Sequence, residues 1–133
     1  MSRVLGIDHG TQRVGFALSD RLGITAQPHS VVPLKKAVAE IVRLASAEEV
    51  ELIVIGLPVT LSGREGVRAK EARTFGTEVA NATGLPVVFW DERLTTKTAE
   101  SAMLSDGVKR HRRRMTVDKI AAAIMLQSYL DSR

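Results

Sequence analysis

Four acidic residues sit where side chains could do chemistry. Asp8 closes the short aliphatic segment Val4-Leu5-Gly6-Ile7-Asp8 and is followed by the turn signal His9-Gly10-Thr11. Alternation along a strand puts Val4, Gly6 and Asp8 on one face, and Gly6 is expected to leave open space there for a metal or a phosphate. Asp8 also reads as an ordinary turn aspartate before a glycine, and the residue alone does not separate the two readings. Asp91-Glu92-Arg93 closes a second apolar run, Val87 to Trp90. Neighbours on a strand face opposite ways, so one of the two acids can join Asp8; Glu92 is expected inward and Asp91 outward, paired with an arginine or set at a helix terminus. The whole cluster reads equally as acids feeding the next helix, with Arg93 as a surface ion-pair partner. Asp118 falls in the first turn of the last helical stretch, a position the helix dipole favours for any acid. Ala121 and Ala122, three and four residues on, would let that helix lie close to a sheet.

Taken together, Asp8, Glu92 and Asp118 suit phosphodiester hydrolysis. Oxygen ligands from separate elements hold Mg²⁺ or Mn²⁺, and in two-metal sites the ions sit about 3.5–4 Å apart, activating water and stabilising the attacked phosphate. Other chemistries are poorly supplied. The chain has no cysteine, which excludes disulfides, cysteine-ligated zinc and a thiol nucleophile. His9, His29 and His111 are scattered without ligand spacing.

The elements that must position these acids follow from periodicity. Arg13 to Ser19 reads as a second strand, close enough to the first to form an antiparallel hairpin, and a third strand lies within Ile24 to Val32, with Pro28 favouring an edge. Leu34, Val38, Ile41, Val42 and Ala45 then recur at helical spacing up to Glu48. Glu51 to Ile55 is a buried-type strand broken by Gly56-Leu57-Pro58. A helix over Glu65–Ala82 is stopped by Gly84 and Pro86. After the strand Val87–Trp90 come a short helix from about Thr96 to Leu104 and a last helix from Thr116, its expected N-cap, to about Leu130. Three strands, then helix–strand–helix–strand, then two helices make a mixed α/β sheet covered by helices.

At 133 residues, 44% hydrophobic and 26% charged, residues 1–133 are expected to form a single globular domain. Aromatics at 4% argue against recognition through many stacked bases. Met1-Ser2-Arg3 runs straight into a strand, and no apolar run approaches the roughly 18 residues of a membrane helix, so a cytoplasmic protein without membrane association is expected. The net charge is +4, yet Lys109, Arg110, Arg112, Arg113 and Arg114 alone carry five positive charges; without them the rest of the chain stands at −1. So concentrated a strip suits a polyanion, through phosphate contacts and counterion release, although most charge runs are solvated loops. Mutual repulsion is expected to keep it mobile in the free protein.

Four stretches in order resemble the YqgF/RuvX family, relatives of the RuvC resolvases within the ribonuclease H-like fold. They are Gly6-Ile7-Asp8-His9-Gly10-Thr11 with Val14-Gly15 and Ser19-Asp20; Ile55-Gly56-Leu57-Pro58 with Gly63 and Glu65-Gly66; Asp91-Glu92-Arg93-Leu94-Thr95-Thr96; and Asp118-Lys119-Ile120-Ala121-Ala122 with Leu126-Gln127. The resemblance implies a ribonuclease H-like mixed five-stranded sheet flanked by helices, and Asp8, Glu92 and Asp118 as the catalytic cluster holding Mg²⁺ or Mn²⁺. It implies a nuclease maturing the 5′ end of the pre-16S rRNA, or, as in some members, a Holliday junction resolvase. Thr11, Thr60 and Arg93 join the strip as candidate nucleic-acid contacts. Two departures stand out: Gly56 occupies the end of the fourth strand, where many ribonuclease H-like enzymes have an acid, and Thr60 stands where family members usually carry asparagine. Glu92 must then reach across to complete the cluster.

Two rivals come from other classes. Asp8-x-Gly10-Thr11 with Gly15 also looks like the first phosphate loop of the actin, Hsp70 and sugar kinase superfamily, but a second such domain does not fit in 133 residues. A non-catalytic RNA-binding ribosome-assembly factor would use the basic strip equally well. Junction cleavage would require a homodimer, whereas RNA processing is compatible with a monomer.

Overall fold

The computed structural model describes residues 2–94 and 110–133, with residues 110–116 described through their backbone only. Strands β1 (Arg3–His9) and β2 (Arg13–Ser19) form the antiparallel hairpin, in a register that runs from Leu5 opposite Leu18 to His9 opposite Val14. β3 (Ala26–Pro33) pairs antiparallel with β2 and takes the sheet edge, where Pro28 leaves no interior ladder bond unmade. A 3₁₀ turn at Leu34–Lys36 leads into α1 (Ala37–Ala47), which returns the chain to β4 (Val50–Leu57), parallel to β1. α2 (Val67–Thr83) ends on Gly84 in the left-handed conformation, φ 71°, and leads to β5 (Val87–Asp91), parallel to β4. The sheet order is β3-β2-β1-β4-β5.

Each sheet face has its own core. Leu5, Ile7, Phe16, Ile53 and Ile55 pack with Ile41 and Leu44 of α1 and Phe75 and Val79 of α2. Val4, Ala17 and Val54 face the last helix, α3 (Arg110–Ser132), through Ala122, Ala123 and Leu126. Strand alternation therefore sends Asp8 to the α3 face and His9 to the face of α1 and α2.

Three expectations are corrected. Gly6 does not open space beside Asp8; a Cβ there would lie 2.8 Å from Leu126 Cβ, so the glycine admits α3 instead. β4 continues through Gly56 and Leu57 and stops only at Pro58, which has no N–H for the ladder. Among the described residues the last helix already includes Arg110, which puts Thr116 inside it rather than at its N-cap. The backbone from Arg110 to Arg114 belongs to this helix. Arginine is a good helix former, and the turns that follow are anchored on the sheet through buried Ile120 and Ala122. Lys109 and the helix expected over 96–104 lie outside the described residues. Among the described residues no helix is long and apolar enough to cross a membrane.

Candidate active site

The ends of β1, β4 and β5 and the first described turns of α3 meet on one face. Asp8 lies opposite Gly15 in the hairpin register, and Gly15 is where α3 touches the sheet: a Cβ at Gly15 would lie 2.2 Å from the carbonyl oxygen of Asp118. Only glycine permits that approach, and it places Asp118 beside Asp8, close enough for the charge of one to act on the other. From the other side, β4 brings Gly56 next to the end of β1. A Cβ at Gly56 would lie 2.6 Å from Oε1 of Glu92, so the space an acid would occupy there is filled by the carboxyl that reaches over from the end of β5.

Asp8 and Glu92 share a hydrogen bond. Burial and the neighbouring Asp118 charge raise the Asp8 carboxyl above its ordinary value, while Glu92 and Arg68 oppose the rise. Burial, reinforced by Asp8, pushes Glu92 up to about 7. Near neutral pH the pair thus stays partly protonated, where two separate carboxyls would be fully ionised. Asp118 points its carboxylate at Arg13, with Oδ2 accepting from Nε at 2.6 Å. Asp91 turns outward and accepts from the backbone N–H of Arg93 and from its guanidinium, Nη2 to Oδ2 2.6 Å, which holds the Asp91 carboxyl below its ordinary range. The opposite facing of Asp91 and Glu92 has a second cause besides alternation: β5 ends at Asp91, and Glu92 opens a 3₁₀ turn.

The structure thus brings Asp8 and Glu92 into contact and keeps Asp118 alongside, engaged by arginine. Among the described residues no three acid or imidazole groups are gathered tightly enough to hold a metal. The pair of carboxyls sharing a proton is nevertheless a donor set that a hard divalent cation fits, since the cation would replace the proton and relieve the repulsion that raises both groups. Of the expected nucleic-acid contacts, Thr11 is exposed at the hairpin turn. Thr60 closes the loop after β4, its Oγ1 accepting from Arg64 N at 3.1 Å. Arg93 links Asp91 to the carbonyl of Leu61. The side chains of Arg110, Arg112, Arg113 and Arg114 lie outside the described residues. Sequence reasoning missed Arg13 as the partner of Asp118 and gave Arg68 no role beside the acids. Only the Val14-Gly15 motif hinted at the close helix contact.

A sheet of antiparallel hairpin plus parallel strands, with acids at the ends of β1 and β5 and on the closing helix, defines the ribonuclease H-like class. The RuvC of *T. thermophilus*, solved with a Holliday junction substrate, has the same fold: TM-score 0.62, 17% identity, 99% of this chain and 96% of that one. The fowlpox virus resolvase with its junction DNA follows at TM-score 0.57, 12% identity, and 98% and 97% coverage. Sequence comparison is more specific. A family model described as "RuvX: Holliday junction resolvase" matches residues 2–132. Two proteins named "Putative pre-16S rRNA nuclease" align over 98% of the chain. That of Lactococcus lactis subsp. cremoris strain MG1363 is 42% identical with 95% of its length covered. That of Syntrophus aciditrophicus strain SB is 44% identical with 89% covered. The chain belongs to the RuvX family.

Proposed function

We propose that this chain is a divalent-metal-dependent endonuclease that cuts structured RNA in the cytoplasm, with processing of the 5′ end of pre-16S rRNA as its task. The observation that carries this reading is the Asp8–Glu92 pair: two desolvated carboxyls in contact, at the meeting point of three strand ends, with a third acid alongside. The names of the relatives supply the substrate. Asp8 and Glu92 would hold Mg²⁺ or Mn²⁺, with Asp118 joining them when Arg13 releases it. The metal, when bound, activates water at neutral pH and stabilises charge on the attacked phosphate. Glu92 would hold the cation as a carboxylate, its proton released to solvent. Arg13 holds Asp118 in place until then, and would afterwards be free to meet a substrate phosphate. The strip of Lys109, Arg110, Arg112, Arg113 and Arg114, together with Thr11, Thr60 and Arg93, would supply phosphate contacts that set affinity rather than sequence preference.

A second reading, resolution of four-way DNA junctions, is favoured by the description of the family and by the RuvC-like fold. It requires a homodimer that presents two sites. The test is cleavage of a pre-16S rRNA fragment, duplex DNA and a four-way junction, each with Mg²⁺, Mn²⁺ or EDTA, by the wild type and by Asp8→Asn. Metal-dependent cleavage of the RNA that vanishes in Asp8→Asn is expected. Cleavage of the junction alone would select the second reading. Binding without cleavage of any substrate would make the protein a non-catalytic assembly factor.

A further inference from the structure

Arg68 adjoins an open cavity of about 680 Å³ through two residues of its lining. It belongs to the first turn of α2. Its Nη2 donates to the His9 carbonyl at 2.9 Å, and its Nη1 donates to Oε2 of Glu71 at 3.1 Å. His9 and Glu71 both line the cavity. The same guanidinium is close enough to the acids for its charge to favour the ionised forms of Asp8 and Glu92. Asp8 and His9 are consecutive, so their Cα atoms are only about 3.8 Å apart. Because they point to opposite faces, the end of β1 is all that separates the acid pair from the cavity.

The cavity lies on the face of α1 and α2, and its lining is chemically mixed. The His9 ring packs on Phe75 with centroids 4.6 Å apart, giving an aromatic wall. Lys35 and Lys70 also line it, and neither forms a salt bridge among the described residues. Thr74 and Glu78 bring a hydroxyl and a carboxylate that can accept from amino groups. His9 Nδ1 is buried without a hydrogen-bond partner, a cost that a polar group entering the cavity would offset. The volume falls in the range of sites that enclose a small organic ligand, roughly 300–1,000 Å³. An aromatic wall, two ammonium groups outside the salt bridges of the described residues and a guanidinium bonded to two lining residues match a base with its phosphate. A purely apolar ligand would leave those cations unanswered.

We propose that this cavity is a nucleotide subsite: it takes the base and sugar of one unpaired nucleotide beside the cut, with that nucleotide's phosphate on Arg68. The inference rests on the nuclease reading and adds to it a demand that the substrate strand be unpaired next to the scissile bond. Single-stranded or splayed bases are the ones a protein can stack and bind in this way. A fully paired strand cannot turn a base across the end of β1 without first paying to unstack it.

The test is a backbone-amide NMR titration of the whole protein in EDTA with adenosine 5′-monophosphate, adenosine and inorganic phosphate. The monophosphate is expected to shift His9, Val38, Lys70 and Thr74. Adenosine should shift the same residues more weakly, and phosphate should act only near Arg68. Arg68→Gln should weaken the monophosphate roughly tenfold, the effect of one charge-assisted contact, and leave adenosine unchanged; Arg68→Lys should recover part of the loss. Thr74→Trp, or Val38→Phe if the first variant does not fold, should abolish binding of both. Phosphate binding as well as the monophosphate, shifts away from His9 and Thr74, or an unaltered Arg68→Gln would each overturn the subsite. Asp8→Asn separates the two readings. Retained cleavage by that variant defeats the nuclease mechanism, while retained seating of the monophosphate leaves the subsite standing.

Discussion

Glu92→Gln removes one carboxyl from the pair and keeps its shape and hydrogen-bonding reach. In the folded wild type Glu92 titrates near 7, against an ordinary value of 4.5. Between those two pH values the folded protein keeps a proton that the unfolded chain has released. Stability rises with pH only where the unfolded state binds more protons, so here it falls as pH climbs from about 4.5 to about 7 and is level above that. A rise of that size corresponds to about 3 kcal/mol. Partial exposure of Glu92 reduces this to about 2 kcal/mol. The Asp8 shift has the same sign and deepens the fall. Urea unfolding in EDTA at several pH values from 5 to 8 should therefore show the wild type losing about 2 kcal/mol, and the Gln variant losing much less. The variant should equal or exceed the wild type at pH 8. Mn²⁺ should restore the wild type at pH 8 by binding the folded state, and should do little for the variant. Parallel pH profiles for the two proteins, or a variant less stable at pH 8, would refute the reasoning.

Three further outcomes are expected. Gly56→Ala puts a Cβ against the flexible end of Glu92, so urea stability should change by less than about 1 kcal/mol while metal affinity, read by calorimetry, falls roughly tenfold to a hundredfold. Gly15→Ala meets backbone instead, the carbonyl of Asp118; it should cost about 2 kcal/mol or more and lower the thermal midpoint as α3 is pushed from the sheet. Neutralising Arg112, Arg113 and Arg114 together should weaken binding to all nucleic acids and flatten its salt dependence by about 0.7–0.9 in logarithmic slope per lost phosphate contact, measured by fluorescence anisotropy.

The sequence by itself determined the order of the described strands and helices, the edge position of the Pro28 strand, and the placement of Asp8 and Asp91-Glu92 at strand ends. These are matters of local period and turn chemistry, which a few neighbouring residues settle. It also marked Gly56 as a missing acid and Glu92 as the residue that must compensate. Tertiary structure decided what each glycine is for. Gly6 looked like room for a ligand and proves to be room for Leu126, while Gly15 and Gly56 set the approach of Asp118 and Glu92. It also decided which charges meet. Arg13 and Asp118 are 105 residues apart, and Arg68 reaches His9 across 59. No periodicity encodes such pairs, because they follow from how α2 and α3 dock on opposite faces of the sheet. The extension of α3 upstream of Thr116 has the same origin: helical turns anchored on the sheet carry a helix past a plausible cap, and local signals at Thr116 cannot register that anchoring.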